Sequence, residues 1–205
     1  MQDELFDDDA DAAASIPGLR YQRDFLGADE EASLLQLMRA LPFHAARYKG
    51  YLARRRVVSF GGSFDYDTNT LRPAAALDDR LLPLRDRVAD WLGVPSRSLA
   101  HVLVSEYAPG TPLGWHRDVP EFETIAGVSL GHEAVLRFRP YPPEAATKDR
   151  VLELNVAPRS IYRISGAARW GWQHAVPPVK AMRWSITFRR PRQGVSAARA
   201  ALRPD

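Results

Sequence analysis

A mainly β fold, a sandwich or barrel with flanking helices, is what the sequence predicts, and three observations predict it. Helical periodicity is confined to the first half of the chain. From Leu99 onward the chain breaks into short alternating runs punctuated by Pro and Gly, the signature of an all-β unit. The 205 residues suffice for one domain with a buried core and are too few for two ordinary ones. No repeat or low-complexity linker divides them.

Taken in order, residues 1–15 form an Asp/Ala-rich acidic head with too little apolar content to pack, and disorder is expected there. The ordered domain is expected over residues 16–193, opening at Ile16-Pro17-Gly18-Leu19, with a flexible tail over 194–205. Leu34, Leu37, Met38 and Leu41 fall on one helical face, acids fill the first turn and Pro42 is a stop, so a helix is predicted over Asp29–Leu41. A second helix is predicted over Asp79–Leu92 from the stripe Leu81, Leu84, Val88, Trp91 and Leu92. Pro83 is tolerated in its first turn and Gly93 suits its C-terminal cap.

The strands follow. His101, Leu103, Ser105 and Tyr107 share one strand face, with Val102, Val104 and Glu106 on the other. Ala134 to Arg139 alternates too. The clearest alternation is Arg183-Trp184-Ser185-Ile186-Thr187-Phe188-Arg189, polar at every odd position and large and apolar at every even one, so its polar face is expected to line a wet cavity or the surface.

Composition narrows the chemistry. With no cysteine, disulfides, thiolate zinc sites, iron–sulfur clusters and cysteine nucleophiles are excluded, and any metal must be held by His, Asp or Glu. No apolar run approaches the roughly 20 residues of a membrane span, and the acidic start has the wrong charge for a leader, so a cytoplasmic, soluble protein is expected. The net charge of +3 is uneven. Asp3, Glu4, Asp7, Asp8, Asp9 and Asp11 face no base within residues 1–11, which leaves 28 basic against 19 acidic residues, +9, in the rest. A body that basic suits a polyanionic partner.

In Leu113-Gly114-Trp115-His116-Arg117-Asp118, the i, i+2 spacing puts imidazole and carboxylate on one side of an extended segment, where both can grip one metal ion. His174, in Gln173-His174-Ala175-Val176-Pro177, can complete a two-His, one-carboxylate facial set that leaves positions open on a divalent iron. Arg183 follows on the polar strand face, where a guanidinium can clamp a carboxylate through two parallel hydrogen bonds. His44, His101 and His132 have no comparable partner spacing.

The sequence resembles the Fe(II)/2-oxoglutarate dioxygenases, and within them the AlkB family of oxidative dealkylases. The resemblance covers residues 99–190 and rests on Glu106-Tyr107-Ala108-Pro109-Gly110, His116-Arg117-Asp118, Val128-Ser129-Leu130-Gly131, the His174 block and the strand Arg183 to Arg189, in the family's order. It implies a double-stranded β-helix of the jelly-roll, cupin-like type. It also implies Fe(II), 2-oxoglutarate and O2, with oxidation of an alkyl C–H coupled to decarboxylation of 2-oxoglutarate to succinate. Carried over by position, His116, Asp118 and His174 match the iron ligands, Arg183 the anchor of the distal carboxylate, Arg189 the second arginine of that strand, and Tyr107 a hydrogen-bonding tyrosine. Leu103, Ser105 and Ser185 complete the expected cosubstrate wall, with serines where the family often has asparagines. Base-repairing members carry an acid where this chain has Pro120; Glu121 stands beside it.

The family's substrate lid corresponds to Arg47-Tyr48-Lys49-Gly50-Tyr51-Leu52-Ala53-Arg54-Arg55-Arg56 and the stretch from Ser59 to Tyr66. Basic residues interleaved with aromatics suit phosphate contact and base stacking, so Tyr48, Tyr51, Arg54, Arg55, Arg56, Phe60 and Glu121 are the candidate substrate contacts. The expected function is removal of alkyl groups from nucleobases of single-stranded DNA or RNA by a monomeric enzyme. Two other readings stand beside it: the same oxygenase chemistry on a protein side chain or small metabolite, and a metal-binding cupin-like module without turnover. Arg183 on a polar strand argues against the second.

Overall fold

A computed structural model describes residues 13–48, 51–65, 70–143 and 150–192. Helix α1 (Ala28–Ala40) carries Asp29, Glu30 and Glu31 in its first turn, and Glu30 accepts a hydrogen bond from the Gly27 backbone N–H at 2.8 Å. Carboxylates there satisfy orphan donors and oppose the helix dipole. The second predicted helix divides. Asp79–Leu81 is a 3-10 turn capped by Asp78, and α2 proper is Leu82–Leu92, because Pro83 belongs at a helix start. Gly93 ends it in the left-handed conformation at φ 69°.

Two antiparallel sheets follow. One has seven strands: β1 (Leu19–Gln22), β2 (His44–Tyr48), β3 (Tyr51–Phe60), β6 (His101–Tyr107), β8 (Phe122–Leu130), β11 (Ile161–Ile164) and β13 (Arg183–Pro191), in the order β1-β11-β8-β13-β6-β3-β2. The other has β7 (Leu113–His116), β9 (Ala134–Pro140), β10 (Leu152–Val156) and β12 (Trp172–Val176), in the order β10-β9-β12-β7. A small hairpin pairs β4 (Ser63–Asp65) with β5 (Thr70–Arg72), and a short helix α3 (Gly166–Trp170) precedes β12. From β6 onward the chain passes back and forth between the two sheets, with β9–β10 as a hairpin, which is the winding of a jelly roll.

Strand alternation distributes the side chains between two cores. On the outer face of the large sheet, Val102, Val104, Ile186 and Phe188 pack under α1 and α2 with Leu37, Met38, Leu84 and Val88. Between the sheets, Leu136, Phe138, Leu154, Val156 and Ile164 form a second cluster that reaches back to Ala13 and Ile16. Because β13 lies between β8 and β6, both of its edges are paired. Its apolar face fills the first core, and its polar face is turned between the sheets, where Arg183 and Ser185 are 3% and 4% exposed. No described helix is long and apolar enough to cross a membrane.

Candidate metal centre and cosubstrate cavity

The last residue of β7 and the centre of β12 are register partners, which places His116 opposite His174 with ring centroids 4.2 Å apart. Asp118, two residues past His116, brings its Oδ2 to 3.5 Å from His174 Nε2. One ligand atom from each of His116, Asp118 and His174 lies within 4.8 Å of the others. His116 Nδ1 lies 2.9 Å from the Gly114 carbonyl; an oxygen there can only accept, so Nδ1 carries the proton and Nε2 keeps its lone pair.

Electrostatics suit the same purpose. Burial pushes His174 down to about 3, with the neighbouring His116 acting in the same direction, and burial also lowers His116. Burial alone would raise the Asp118 carboxyl, but Arg189 and the two imidazoles outweigh it and hold the group well below the usual carboxylate range. At neutral pH the set is two neutral nitrogens and one anionic oxygen, the donor chemistry of a divalent iron site.

Deeper between the sheets, a narrow cavity of about 40 Å³ opens beside this triad. Leu103, Ser105, Tyr107, Arg183, Ser185 and Arg189 all line it. Strand register explains why. Arg183, Ser185, Thr187 and Arg189 stand opposite Tyr107, Ser105, Leu103 and His101 across the β13–β6 ladder, so one row of inward positions supplies most of the polar wall. Arg183 donates from Nε to Ser129 Oγ at 3.3 Å and stands 5.3 Å from the Tyr107 ring centroid. Among the described residues no carboxylate pairs with it. A buried guanidinium without an anion is costly, and a dicarboxylate bound in the cavity would supply the missing partner.

Tyr162 also lines the cavity and was not singled out from the sequence. Its ring crosses Gly127 on the neighbouring strand, where a Cβ would lie 2.2 Å from Tyr162 Cζ. Burial raises the phenol, and its hydrogen bond to Ser185 ties it into the polar row. Gly127→Ala is therefore expected to displace Tyr162 from the wall. The check is isothermal titration with 2-oxoglutarate: affinity should fall at least about tenfold, and wild-type affinity would show that the ring has room to move aside.

A second, larger groove of about 580 Å³ adjoins the cavity and shares Arg55, Leu103 and Arg189 with it. The run Arg54-Arg55-Arg56 does not act as a unit, because successive side chains on β3 point to opposite faces. Arg55 faces both the groove and the cavity. Arg54 instead donates to the Gly110 carbonyl at 3.2 Å, and Arg56 pairs with Glu106 at 2.9 Å. Phe60, expected at a substrate surface, is 7% exposed and packs in the core with Val58, on the face of β3 opposite Val57 and Ser59. Glu121 lines neither space; its charge acts on Arg169, and its Oε2 is buried without a partner. Tyr48 and Tyr51 are register partners at the tip of the β2–β3 hairpin, and their side chains lie outside the described residues.

Arg169, on α3, belongs to none of the motifs legible in the sequence. It is 2% exposed, and Nη2 donates to the carbonyls of Asp118 at 2.9 Å and Val119 at 2.6 Å while Nε donates to that of Phe122 at 2.9 Å. It thereby ties the loop bearing Asp118 to the helix that leads directly into the His174 strand.

Comparison with known proteins agrees with this geometry. The model of the 2OG-Fe(II) oxygenase superfamily matches residues 18–193. The Arabidopsis thaliana protein named alkylated DNA repair protein ALKBH8 homolog is 31% identical over 188 residues, covering 82% of this chain and 53% of that protein. The Mus musculus protein named tRNA (carboxymethyluridine(34)-5-O)-methyltransferase ALKBH8 is 26% identical over 170 residues, covering 80% of this chain and 25% of that one. The chain thus spans about half the length of the first relative and a quarter of the second. Among solved structures, that of OsALKBH1 superposes with a TM-score of 0.65 at 15% identity, covering 85% of this chain and 97% of the other. A Pseudomonas putida prolyl-4-hydroxylase superposes with a TM-score of 0.58 at 16% identity, covering 91% and 98%. With the family model spanning the jelly roll from β1 to the end of β13, and with the donor triad and buried arginine where Fe(II) and 2-oxoglutarate would be held, the chain belongs to the 2OG-Fe(II) oxygenase superfamily.

Proposed function

We propose that the protein oxidatively removes alkyl groups from nucleobases of single-stranded DNA or RNA. One observation carries this reading: the open groove beside the triad is lined by Arg47, Arg55, Arg72 and Arg189 against one acid, Asp65, with the half-buried Phe64 ring on its wall. Asp65 is already taken by Arg72. Arg189 is held by Asp118, which leaves Arg47 and Arg55 to suit phosphates, and the Phe64 ring suits an unstacked base. The fold alone does not choose the substrate, since its solved neighbours include a prolyl hydroxylase. Two of the relatives above carry names that refer to alkylated DNA or to tRNA, in keeping with a polyanion.

When bound, the iron and 2-oxoglutarate supply the oxidising chemistry; the chain supplies binding, orientation and exclusion of water. His116, Asp118 and His174 would hold the metal. Arg183 would hold the distal carboxylate at the closed end of the cavity, with Tyr107 and Tyr162 beside it and the aliphatic wall of Leu136, Val156 and Ile164 keeping water out. Arg189, 3.1 Å from Asp118 Oδ1, stands where cavity and groove meet and can orient what lies on either side. A base in the groove is then presented toward the triad, and flipping from a duplex would cost a few kcal/mol, so single strands are preferred.

The test incubates the protein with iron, ascorbate and 2-oxoglutarate, with and without N-methylated single-stranded oligonucleotides, and measures succinate and formaldehyde. Formaldehyde that depends on the oligonucleotide is expected. Succinate without such dependence would turn the substrate into a protein or metabolite, and no succinate under any condition would leave an inert metal-binding module.

Two predictions belong to this site. Arg183→Ala is expected to raise the KM for 2-oxoglutarate at least about 100-fold, the loss of two charge-assisted hydrogen bonds, with a smaller fall in kcat, and Arg183→Lys should recover only part of it. An unchanged KM would place the carboxylate elsewhere. Arg55→Ala should weaken oligonucleotide binding and flatten its salt dependence, whereas Arg56→Ala, whose guanidinium is spent on Glu106, should do neither. Equal effects of the two would mean that β3 does not sort them.

A further inference from the structure

We propose that the outer face of the four-stranded sheet, beside the metal-binding loop, is a second contact surface for single-stranded nucleic acid, distinct from the groove. Alternation that turns His116 and His174 inward turns Trp115, Arg117 and Gln173 outward. Arg139 is the register partner of Gln173 across the β9–β12 ladder, donates to its Oε1 at 2.8 Å, and lies over the Trp115 ring at 4.5 Å. One step along, Arg117 stacks on Tyr141 at 3.7 Å and donates to the Trp170 carbonyl at 3.1 Å. Arg192 sits 5.7 Å from the Trp170 ring centroid, and Tyr141 N–H bonds the carbonyl of Gly171, the residue after Trp170. These contacts join three arginine–aromatic pairs into one patch. It begins at Arg117, the residue between two of the metal ligands.

The chemistry of the patch points to its partner. Among the described residues, Arg117, Arg139 and Arg192 have no carboxylate partner; the nearest compensated arginine on β9, Arg137, pairs with Glu153 and marks the edge. Tyr141 and Trp170 are 39% and 37% exposed, among the largest apolar groups left in solvent. A guanidinium held over a ring keeps its charge at the surface, within reach of phosphate, while exposed ring surface remains for an unpaired base. A duplex, whose bases are already stacked, cannot use those rings. An acidic peptide would use the charges and leave the rings idle.

The proposal shares with the function above the expectation of a nucleic-acid partner, but its test needs no turnover. Binding of an unmodified, fluorescently labelled single-stranded 12-mer to the full chain is followed by anisotropy across a salt series, for the wild type and for Tyr141→Ala, Tyr141→Phe, Trp170→Ala, Arg139→Ala and Arg192→Ala. Each aromatic-to-Ala change should weaken binding about fivefold or more, and Tyr141→Phe should restore it. Each arginine change should reduce the log–log salt slope by about 0.7. Trp170 also covers Arg169, so should its variant fail to fold, Tyr141 and Arg139 carry the test. Unchanged affinity and slope in these variants, or displacement of the 12-mer by polyglutamate as effective as by unlabelled oligonucleotide, overturns the proposal. Failure of the dealkylase reading shows separately, as methylated oligonucleotides that bind but yield no formaldehyde.

Discussion

Asp118→Asn is expected to abolish succinate formation and to destabilise the metal-free protein by about 3–5 kcal/mol, a size set by removing one partner of a buried ion pair. Both effects come from the one carboxylate. It is the only anionic donor among the three residues of the candidate metal site, and a neutral amide cannot replace its charge. It is also the carboxylate on Arg189, at 3.1 Å, with the two side chains 9% and 16% exposed. Arg189 Nε is already buried without a partner, so the guanidinium has little to fall back on. Turnover should fall by far more than the roughly 10- to 100-fold that follows loss of an outer-shell partner. Urea denaturation of the chelated protein measures the stability change. Wild-type stability in the variant would show that Arg189 finds another anion or reaches water, and would separate the pair from the fold while leaving the ligand role intact.

How much of this was legible in the sequence depended on whether one strand's period carried the information. The polar face of β13 was legible because alternation within a single segment, Arg183 to Arg189, states it outright, and Leu103, Ser105 and Tyr107 follow from the same period on β6. The same rule applied to β3 would have separated Arg55 from Arg54 and Arg56 and sent Phe60 to the core with Val58; the basic run drew attention as composition, and composition has no faces. The helix over Asp79–Leu92 was legible as a stripe, but its first turn tightened into a 3-10 turn because Pro83 fixes where the α-helix can begin. Tyr162 was not legible, since its place depends on which strand runs beside β8 and on a glycine there that leaves room for its ring.

Arg169 lies furthest from anything a motif can record, because all three of its partners are main-chain carbonyls and any residue type would supply them. Its removal is the second large effect expected. Arg169→Met would leave the carbonyls of Asp118, Val119 and Phe122 without their donor in a nearly closed site, costing on the order of 4 kcal/mol by the desolvation of unpaired acceptors. The consequence for function is sharper than for stability. α3 precedes the His174 strand, and the loop it grips carries Asp118, so the guanidinium fixes the distance between two arms of the triad from outside the ligand sphere. Arg169→Lys separates the two roles. One ammonium can reach only part of the three-carbonyl fan, so the protein should fold with a modest loss of stability yet bind Fe(II) or Co(II) about tenfold or more weakly, within the range seen when an outer partner of a ligand is lost. The KM for 2-oxoglutarate should change much less, because Arg183 is anchored on another strand through Ser129. Wild-type metal affinity in Arg169→Lys, alongside a merely less stable Arg169→Met, would reduce Arg169 to a staple of the loop and remove it from the positioning of the metal.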